Sequence, residues 1–268
     1  MARYPNGADY GAKVDAGIAR AVEHANPRLT FLEMYPWLRA GVVYVEDDFT
    51  EDTLSTTRWN LATDGADASA FAWSSAENGT IAGSTGTTDN GYLAINGDVL
   101  WKGDKNCGME VRWKIDEVTG FTFEIGWTDA LTDETLPAVT DVDTPATGNG
   151  AVDVAVIHLD TDQTLTTAAF VSESTTTSYA AQKVNIGTWT PTAATYYKSR
   201  VQLLGDNALY KIWNDTDPAN PVLIASGEGG LSLAIEGATL VRPHILFGTR
   251  NTTAKAPIID LIRVWKDR

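Results

Sequence analysis

Two adjacent segments of alternating apolar and polar residues constrain this fold more than any other feature of the chain. The first reads Glu-Val-Arg-Trp-Lys-Ile-Asp from residue 110, and the second reads Phe-Thr-Phe-Glu-Ile-Gly-Trp from residue 121. Alternation with a period of two places one set of side chains in a core and the other set on the opposite face. The pattern predicts two antiparallel strands joined as a hairpin through the Glu-Val-Thr-Gly segment between them. Their aromatic face needs a second sheet to cover it.

Further strands are predicted along the remainder of the chain. From residue 42 onward, short alternating runs are separated by segments rich in Thr, Ser and Gly. Residues 196–204 turn through Gly-Asp-Asn into residues 208–213 and predict another hairpin, while Asn96-Gly97 predicts a tight turn. About residues 129–150 form an acidic insertion, whose length predicts an excursion at one end of the fold.

These patterns predict an all-β protein: a two-sheet antiparallel β-sandwich preceded by an N-terminal arm with one short helix. The arm is residues 1–41, with an amphipathic helix at about 13–25 that ends before Pro27. The sandwich domain is residues 42–268. The arm holds five Lys/Arg and four Asp/Glu, a net charge of +1, which leaves 20−5=15 basic and 35−4=31 acidic residues, a net charge of −16, for the body.

The arm is apolar beyond its helix but is interrupted by Pro36. Each of its large apolar side chains would gain roughly 1.5–3 kcal/mol on full burial, and a complete sandwich already covers its own core. We therefore expect the arm to dock on a neighbouring subunit, with packing on its own sandwich as the alternative. The residues expected to make this contact are Ile18, Val22, Leu29, Phe31, Leu32, Tyr35, Trp37 and Leu38.

The composition excludes several classes of protein. The formal net charge of −15 disfavours a nucleic-acid partner, because phosphate repels an acidic surface. The single cysteine, Cys107, excludes an internal disulfide and is predicted to be buried. No apolar run approaches the roughly 20 residues of a membrane helix, so no membrane partner is expected. The first residues contain no long apolar run either, so no secretion signal is predicted.

Three sequence motifs resemble a known superfamily. They are Asp47-Asp48-Phe49 followed by Trp59, the run over residues 197–213, and the closing run over residues 259–265. Together they resemble the concanavalin A-like lectin/glucanase superfamily, including its LamG-like members, over about residues 44–268. The resemblance implies a jelly roll of two curved antiparallel sheets. Sugar-binding modules, glycosidases and viral surface proteins share this fold, so the fold alone does not choose among them.

The carboxylates that a glycosidase needs are not evident in the sequence. Glycosidases of this superfamily carry them as Glu-x-Asp-x-x-Glu on one strand, and retaining hydrolysis needs two carboxyls about 5 Å apart. The nearest candidates are Glu124, Asp129 and Glu134, but the first two have opposite parity and the last two lie beyond the strand. Glu110 and Asp116 share a face with basic residues between them, which is typical of a solvated charged face. We predict no catalytic residues and no enzymatic activity.

Metal and cofactor sites are also not predicted. Asp160-Thr-Asp162 and Asp141-Val-Asp143 could supply oxygen ligands to calcium, but neither has the glycine and distal glutamate of an EF-hand loop. His24, His158 and His244 are too scattered along the chain to indicate a zinc site or a catalytic triad. His158 is expected to be a satisfied residue of a sheet.

Tryptophan is abundant, with nine residues, and most occupy positions of core parity. Trp73, Trp101 and Trp189 are less clearly assigned to the core. Since an exposed indole stacks on sugar rings, these three are candidates for a glycan-binding surface. The alternative is that they pack in the core or at the rim of the sandwich.

The first functional hypothesis is a structural virion protein of a bacteriophage, a minor capsid or head-decoration protein that binds the major capsid protein through its arm. The acidic body is expected on the capsid exterior, because packaged DNA would repel its negative charge. A homo-oligomer is expected, with a trimer at a threefold capsid site. The phage assignment is an analogy at the level of the superfamily. The alternative is a carbohydrate-binding module or lectin, also compatible with a virion domain that contacts host-surface glycans. A glycoside hydrolase is the third hypothesis.

Overall fold

In this computed structural model, the described residues are 42–50, 55–74, 79–98, 101–130, 137–141, 146–147, 151, 153–163, 167–173, 183–204, 207–228 and 239–268. The predicted arm, with its helix and its eight contact residues, lies outside them. Across these ranges, no helix has the length and hydrophobicity needed to cross a membrane.

The described residues form strands and one short 3-10 turn, Gly103–Lys105. The strands are β1 (Val42–Asp47), β2 (Trp59–Asp64), β3 (Ser69–Trp73), β4 (Ile81–Ser84), β5 (Tyr92–Gly97), β6 (Trp101–Lys102), β7 (Gly108–Lys114), β8 (Phe121–Thr128), β9 (Val139–Asp141), β10 (Ala146–Thr147), β11 (Val154–Asp160), β12 (Ala169–Glu173), β13 (Lys183–Asn185), β14 (Tyr197–Leu204), β15 (Asn207–Asn214), β16 (Val222–Glu228), β17 (Leu240–Thr249) and β18 (Ile258–Asp267).

Two large antiparallel sheets account for most of these strands. Sheet A has the order β16-β15-β14-β7-β18-β4-β3, with β1 also paired to β18. Sheet B has the order β13-β12-β11-β8-β17-β5-β2, with β6 also paired to β17. The predicted all-β, two-sheet antiparallel sandwich is confirmed. Asn96 and Gly97 end β5, so the tight turn predicted there is wrong.

The hairpin predicted between residues 110 and 127 is wrong, because its two strands lie in different sheets. Both strands exist, but β7 pairs with β14 and β18 in sheet A, whereas β8 pairs with β11 and β17 in sheet B. The connection therefore crosses from one sheet to the other, and Gly120 in it has a φ of +58°. Because both strands carry a continuous aromatic face, placing them in opposite sheets covers both faces at once. The predicted hairpin of β14 and β15 is confirmed.

The core between the sheets is built mainly from the residues of predicted core parity. Trp113 and Trp127 are both fully buried. The rings of Trp113 and Phe247 lie 5.5 Å apart, and those of Phe121 and Phe123 lie 5.6 Å apart. Cys107 is buried, as predicted, and its Sγ donates to the carbonyl oxygen of Lys102 over 2.8 Å. Aromatic contacts of this kind supply both buried area and a preferred geometry to the core.

The opening Asp-Asp-Phe motif and Trp59 are in contact. The indole Nε1 of Trp59 donates to Asp47 Oδ2 over 3.1 Å, and the backbone N–H of Phe49 donates to Asp47 Oδ1 over 3.3 Å. Phe49 is buried with a φ of +52°, a conformation that non-glycine residues rarely adopt. One carboxylate thus fixes the chain where it leaves β1 and where β2 begins.

The outer face of sheet A differs from the solvated charged face that the sequence predicts. Glu110 is only 1% exposed. Its Oε2 accepts from Arg200 Nη2 over 2.6 Å, and its Oε1 lies 3.3 Å from Arg263 Nη1. Burial alone would raise the pKa of Glu110, but Arg200, Lys198 and Arg263 outweigh that effect and lower the pKa. This face is therefore a structural ion-pair network rather than a set of independent solvated charges.

The described part of the acidic insertion lies against sheet B, and the predicted excursion at one end of the sandwich stays a prediction for the remainder. Its described residues Ala138 and Val139 pack on the outer face of sheet B, in an apolar cluster with Val154 and Val156 of β11. The backbone N–H groups of residues 138 and 139 both reach a side chain of β8. The insertion therefore covers part of the sheet face that carries the polar residues considered next.

Candidate functional site

A buried polar centre lies on the outer face of sheet B. Glu124 of β8 points away from the core, because its neighbours Phe123 and Ile125 point inward. The strand register places His158 of β11 directly opposite Glu124. His244 of β17 is displaced along its strand from the residue opposite Glu124, and Asn96 of β5 is the partner of His244. Four neighbouring strands thus contribute one polar side chain each.

The carboxylate of Glu124 is surrounded by donors. Its Oε2 accepts from the backbone N–H of Ala138 over 2.8 Å and lies 2.9 Å from His244 Nε2. Its Oε1 accepts from the backbone N–H of Val139 over 2.8 Å and lies 3.2 Å from His158 Nδ1. Burial alone would raise the pKa of Glu124, but the interactions with His158 and His244 outweigh it and lower that pKa to about 2.

His244 lies between two polar side chains. Its Nδ1 is 2.7 Å from Asn96 Oδ1, and its Nε2 is 2.9 Å from Glu124 Oε2. Both ring nitrogens are therefore within hydrogen-bond distance of a polar partner, which offsets part of the cost of burying the ring and the carboxylate.

This centre is poorly suited to glycoside hydrolysis. A general acid in such a reaction needs a raised pKa, whereas that of Glu124 is lowered and its side chain is fully buried. Asp129 lies after the end of β8, where its Oδ1 accepts the backbone N–H of Asp153 over 3.0 Å. Glu134 lies outside the described residues. The geometry gives Glu124 a structural role, in which it holds residues 138–139 of the insertion against the sheet.

His158 and His244 were not predicted to act together. The sequence separates them by 86 positions, and neither lies near Glu124 in the chain. Only the pairing of β8 with β11 and β17 brings them together. Nε2 of His158 is buried and has no hydrogen-bond partner among the described residues. A signal was present in the sequence nonetheless, since His158 interrupts the apolar run of β11 at residues 154–159.

The acidic pairs considered for calcium are only partly described. Asp160 forms an ion pair with Arg250, whose Nε lies 3.0 Å from Asp160 Oδ1, and the two side chains are nearly buried. The side chains of Asp141 and Asp143 lie outside the described set. Within the described part of the chain, no cluster of three or more His, Cys, Asp or Glu residues is arranged to hold a metal ion.

A second candidate site is a cleft at the edge of the sandwich, which we call the Trp189 cleft. It has a volume of about 630 Å³ and lies between the segment that follows β13, the last strand of sheet B, and β16, the last strand of sheet A. Its described lining is Ile186, Gly187, Thr188, Trp189, Thr190, Tyr210, Ile224, Ala225 and Ser226.

The aromatic walls of the Trp189 cleft pack against further aromatic rings. The Trp189 ring lies 5.4 Å from the Tyr197 ring and is half-buried, so part of the indole faces the cleft. Tyr210 stacks on Phe170 at 5.0 Å, and burial raises the pKa of its phenol. Nε1 of Trp189 is buried without a hydrogen-bond partner among the described residues. The cleft therefore combines fixed aromatic surfaces with exposed threonine and serine hydroxyls.

The three tryptophans proposed from the sequence as glycan contacts do not form one surface. Trp73 is 38% exposed on β3, at the edge of sheet A opposite to β16. Trp101 is buried against Trp127 and lines a smaller cleft of about 220 Å³ together with Arg58 and Asp98. Of the three, Trp189 lies in the cleft of about 630 Å³, which is within the range of about 300–1,000 Å³ for a typical small-molecule site.

Comparison with known proteins supports the fold but not a specific family. No protein-family model matches the chain, and no curated protein sequence matches it. Among solved structures, a protein of unknown function from Shewanella oneidensis has a TM-score of 0.57 at 12% identity and covers 89% of this chain and 95% of that chain. The Lotus tetragonolobus seed lectin has a TM-score of 0.55 at 9% identity, covering 84% and 99% of the two chains.

Two further solved structures, one in a sugar-bound form and one of a glycosyl hydrolase family protein, share the fold. The exoplasmic/lumenal domain of VIP36, in a form bound to Ca²⁺ and Man3GlcNAc, has a TM-score of 0.53 at 10% identity and covers 83% of this chain and 88% of that chain. A glycosyl hydrolase family protein from Mycobacterium fortuitum has a TM-score of 0.51 at 12% identity, covering 82% and 98%. At such identities the likeness shows the fold alone. The chain has the concanavalin A-like sandwich of legume and L-type lectins, and the capsid hypothesis stays a prediction.

Proposed function

We propose that this protein is a carbohydrate-binding protein and that it binds sugar in the Trp189 cleft. The observation that carries the proposal is the lining of the cleft, in which two aromatic rings adjoin exposed hydroxyl groups. Sugars present apolar C–H faces and polar hydroxyl edges, so an aromatic wall with a few hydroxyls matches both. Trp189 is the residue expected to stack on the sugar ring, with Thr188, Thr190 and Ser226 as hydrogen-bonding partners.

The cleft is expected to favour neutral sugars. None of its described lining residues carries a charge, although the chain as a whole has a formal net charge of −15. An acidic sugar would therefore meet a repulsive field without a cationic side chain of the described lining to offset it. The described lining also lacks carboxylates, so calcium is not expected to be needed for binding.

The fold is compatible with this proposal, since the solved structures of similar fold include lectins. A hydrolase of this fold also exists among them, but the lowered pKa and burial of Glu124 argue against its use as a general acid. The virion hypothesis depends on the N-terminal arm, which lies outside the described residues. It is compatible with sugar binding if the sandwich domain contacts host-surface glycans.

A glycan array followed by calorimetry tests the proposal, with the full chain and with sugar at about 1 mM or above. We expect a neutral oligosaccharide to bind equally well in calcium and in EDTA. Trp189→Ala should weaken binding by about tenfold or more, a loss of about 1.4 kcal/mol. Trp73→Ala is the matched control, because Trp73 is exposed on a distant edge strand.

Trp189 also packs on Tyr197, so a second variant separates binding from folding. Thr188→Arg places a bulky group in the cleft from an exposed position and should abolish binding while the circular dichroism spectrum stays unchanged. Absence of binding to every sugar on the array would overturn the proposed function. Sugar binding that is unchanged in both cleft variants would contradict the assignment of the binding site to the Trp189 cleft.

A further inference from the structure

The indole of Trp265 is buried on the outer face of sheet A. On β18, Ile262 and Val264 belong to the core, so alternation along the strand turns Trp265 to the opposite face. The indole lies across Gly108 of β7, where an added Cβ atom would come within 2.2 Å of the ring. Trp265 is nevertheless 0% exposed. Since a large ring on an open sheet face keeps part of its surface in water, another segment covers this indole.

The described elements do not supply this cover. Glu110 of β7 and Arg200 of β14, on the same face as Trp265, are 1% and 5% exposed. The long described strands all belong to the two sheets, and the described insertion packs on sheet B, so no described strand forms a third layer over sheet A. Leu223 of β16 and Tyr44 of β1, on either side of this area, are 46% and 37% exposed. The cover is therefore confined to the centre of the face.

The N-terminal arm, residues 1–41, joins sheet A beside Trp265. The burial of Trp265 is found within a single chain, so the segment that covers it belongs to that chain. Val42 begins β1, and two residues later Tyr44 pairs with Trp265 across β1 and β18. The arm therefore ends at the margin of the covered area.

From this position we infer that residues 29–38 of the arm pack on the outer face of sheet A of their own chain, over Trp265. Of the two arrangements expected from the sequence, this is packing on the chain's own sandwich, and it does not depend on sugar binding. The segment holds seven large apolar residues and one charged residue, Glu33. Removing these side chains and the indole from water together stabilises the contact.

Distance and charge both suit this placement. Residue 38 lies four positions before β1, roughly 13 Å of extended chain, and β14 lies three strand spacings from β1, roughly 15 Å. In the covered area, Glu110 pairs with Arg200 and Arg263. Glu46 also pairs with Arg263, so these four charges balance, although the chain has a formal net charge of −15. An apolar segment can therefore cover this area without burying an unpaired charge of this group.

Hydroxyl-radical footprinting of the full chain, read by mass spectrometry, tests the inference through the oxidation rate of each tryptophan. In the wild type, Trp265 and the core residue Trp113 should be oxidised slowly, and Trp73, which is 38% exposed, rapidly. Phe31→Ser combined with Leu32→Ser should raise the rate for Trp265 by about tenfold or more, while Trp113 stays slow. If the double variant also exposes Trp113, the milder Leu32→Ala decides, and it should raise the rate for Trp265 alone.

The matched control is Leu231→Ser combined with Leu233→Ser, in residues 229–238, a second apolar segment outside the described residues. This control should leave Trp265 protected. Dilution of the wild type over about a hundredfold range should not change the rate for Trp265, because the cover belongs to the same chain. Rapid oxidation of Trp265 in the wild type would overturn the inference, and so would protection that survives the arm variants. Protection lost in the control would instead assign the cover to residues 229–238, and protection lost on dilution would assign it to a second copy.

Discussion

The indole of Trp113 and the phenyl ring of Phe123 lie 4.9 Å apart across the core, although their strands follow one another in the chain and belong to opposite sheets. The two residues are only ten positions apart in the sequence. Trp113 also donates from Nε1 to Ser199 Oγ over 3.0 Å, which fixes the indole in sheet A. This one contact explains how two strongly alternating segments cover each other without forming a hairpin.

We predict that Phe123→Ala and Trp113→Ala each lower the free energy of unfolding by about 3–5 kcal/mol, because each leaves a cavity at the centre of the core. The double variant should lose less than the sum, with a coupling of about 0.5–1.5 kcal/mol from the ring contact. Urea unfolding measures the free energy of unfolding of the two single variants and of the double variant. Trp73→Ala at an exposed position should change stability far less, and a comparable loss there would contradict the assignment of the core.

Glu124→Gln should release the insertion from the outer face of sheet B. The variant replaces the carboxylate that accepts the backbone N–H groups of Ala138 and Val139 and that lies 2.9 Å from His244 Nε2. We expect a loss of about 3 kcal/mol in unfolding free energy. The amides of residues 138 and 139 should exchange much faster. Glu117→Gln, at an exposed carboxylate, is the control and should leave both measurements unchanged.

The same carboxylate should make stability depend on pH in acid. The folded-state pKa of Glu124, about 2, lies below its ordinary value of 4.5. A carboxylate whose pKa is lowered by folding stabilises the folded state at pH values above its ordinary pKa. That contribution is lost as the pH falls from about 4.5 towards 2. The lowering of the pKa corresponds to a contribution of roughly 3 kcal/mol to the free energy of unfolding.

Comparing wild type with Glu124→Gln isolates this contribution from that of other carboxylates. The gap between their unfolding free energies should close as the pH falls from about 4.5 towards 2. A gap that stays constant across this range would show that Glu124 does not titrate as the structure indicates.

Gly126 of β8 lies against the backbone of β11, with no room for a side chain. A Cβ atom at this position would lie 2.0 Å from the carbonyl oxygen of Ala155 and 2.7 Å from Cα of Val156, which are backbone atoms that cannot move aside cheaply. We therefore predict that Gly126→Ala lowers the unfolding free energy by at least about 2 kcal/mol. Gly187→Ala is the comparison: its Cβ would meet nothing within 4 Å, so only the positive φ of 54° opposes it, at about 1 kcal/mol. In thermal unfolding, Gly126→Ala should therefore lower the melting temperature more than Gly187→Ala.

Several features follow from the sequence because they depend on local pattern. Alternation in residues 110–127 identifies two strands and the inward direction of Trp113 and Trp127, since the pleat turns successive side chains to opposite faces. The short polar turn after residue 204 identifies the β14–β15 hairpin, because few turns connect adjacent strands so closely. The Asp47–Trp59 contact agrees with the motif that suggested the superfamily.

Other features depend on which strands become neighbours, and local pattern carries no information about that. The segment between β7 and β8 has the composition of a hairpin loop, but covering two aromatic faces at once favours a crossing between sheets. The Trp189 cleft likewise exists only because the edges of the two sheets lie side by side.

The sequence by itself therefore determined the strands, their buried faces, the absence of an internal disulfide and the strongly acidic charge, because each is a property of neighbouring residues or of composition. Tertiary structure alone decided that Glu124, His158, His244 and Asn96 meet, because their contact depends on the register of four strands that are distant in the chain. It also decided that Glu110 is buried in an ion-pair network and that β16 is an exposed edge. Burial and strand order are set by the packing of the whole sandwich, which no local pattern encodes.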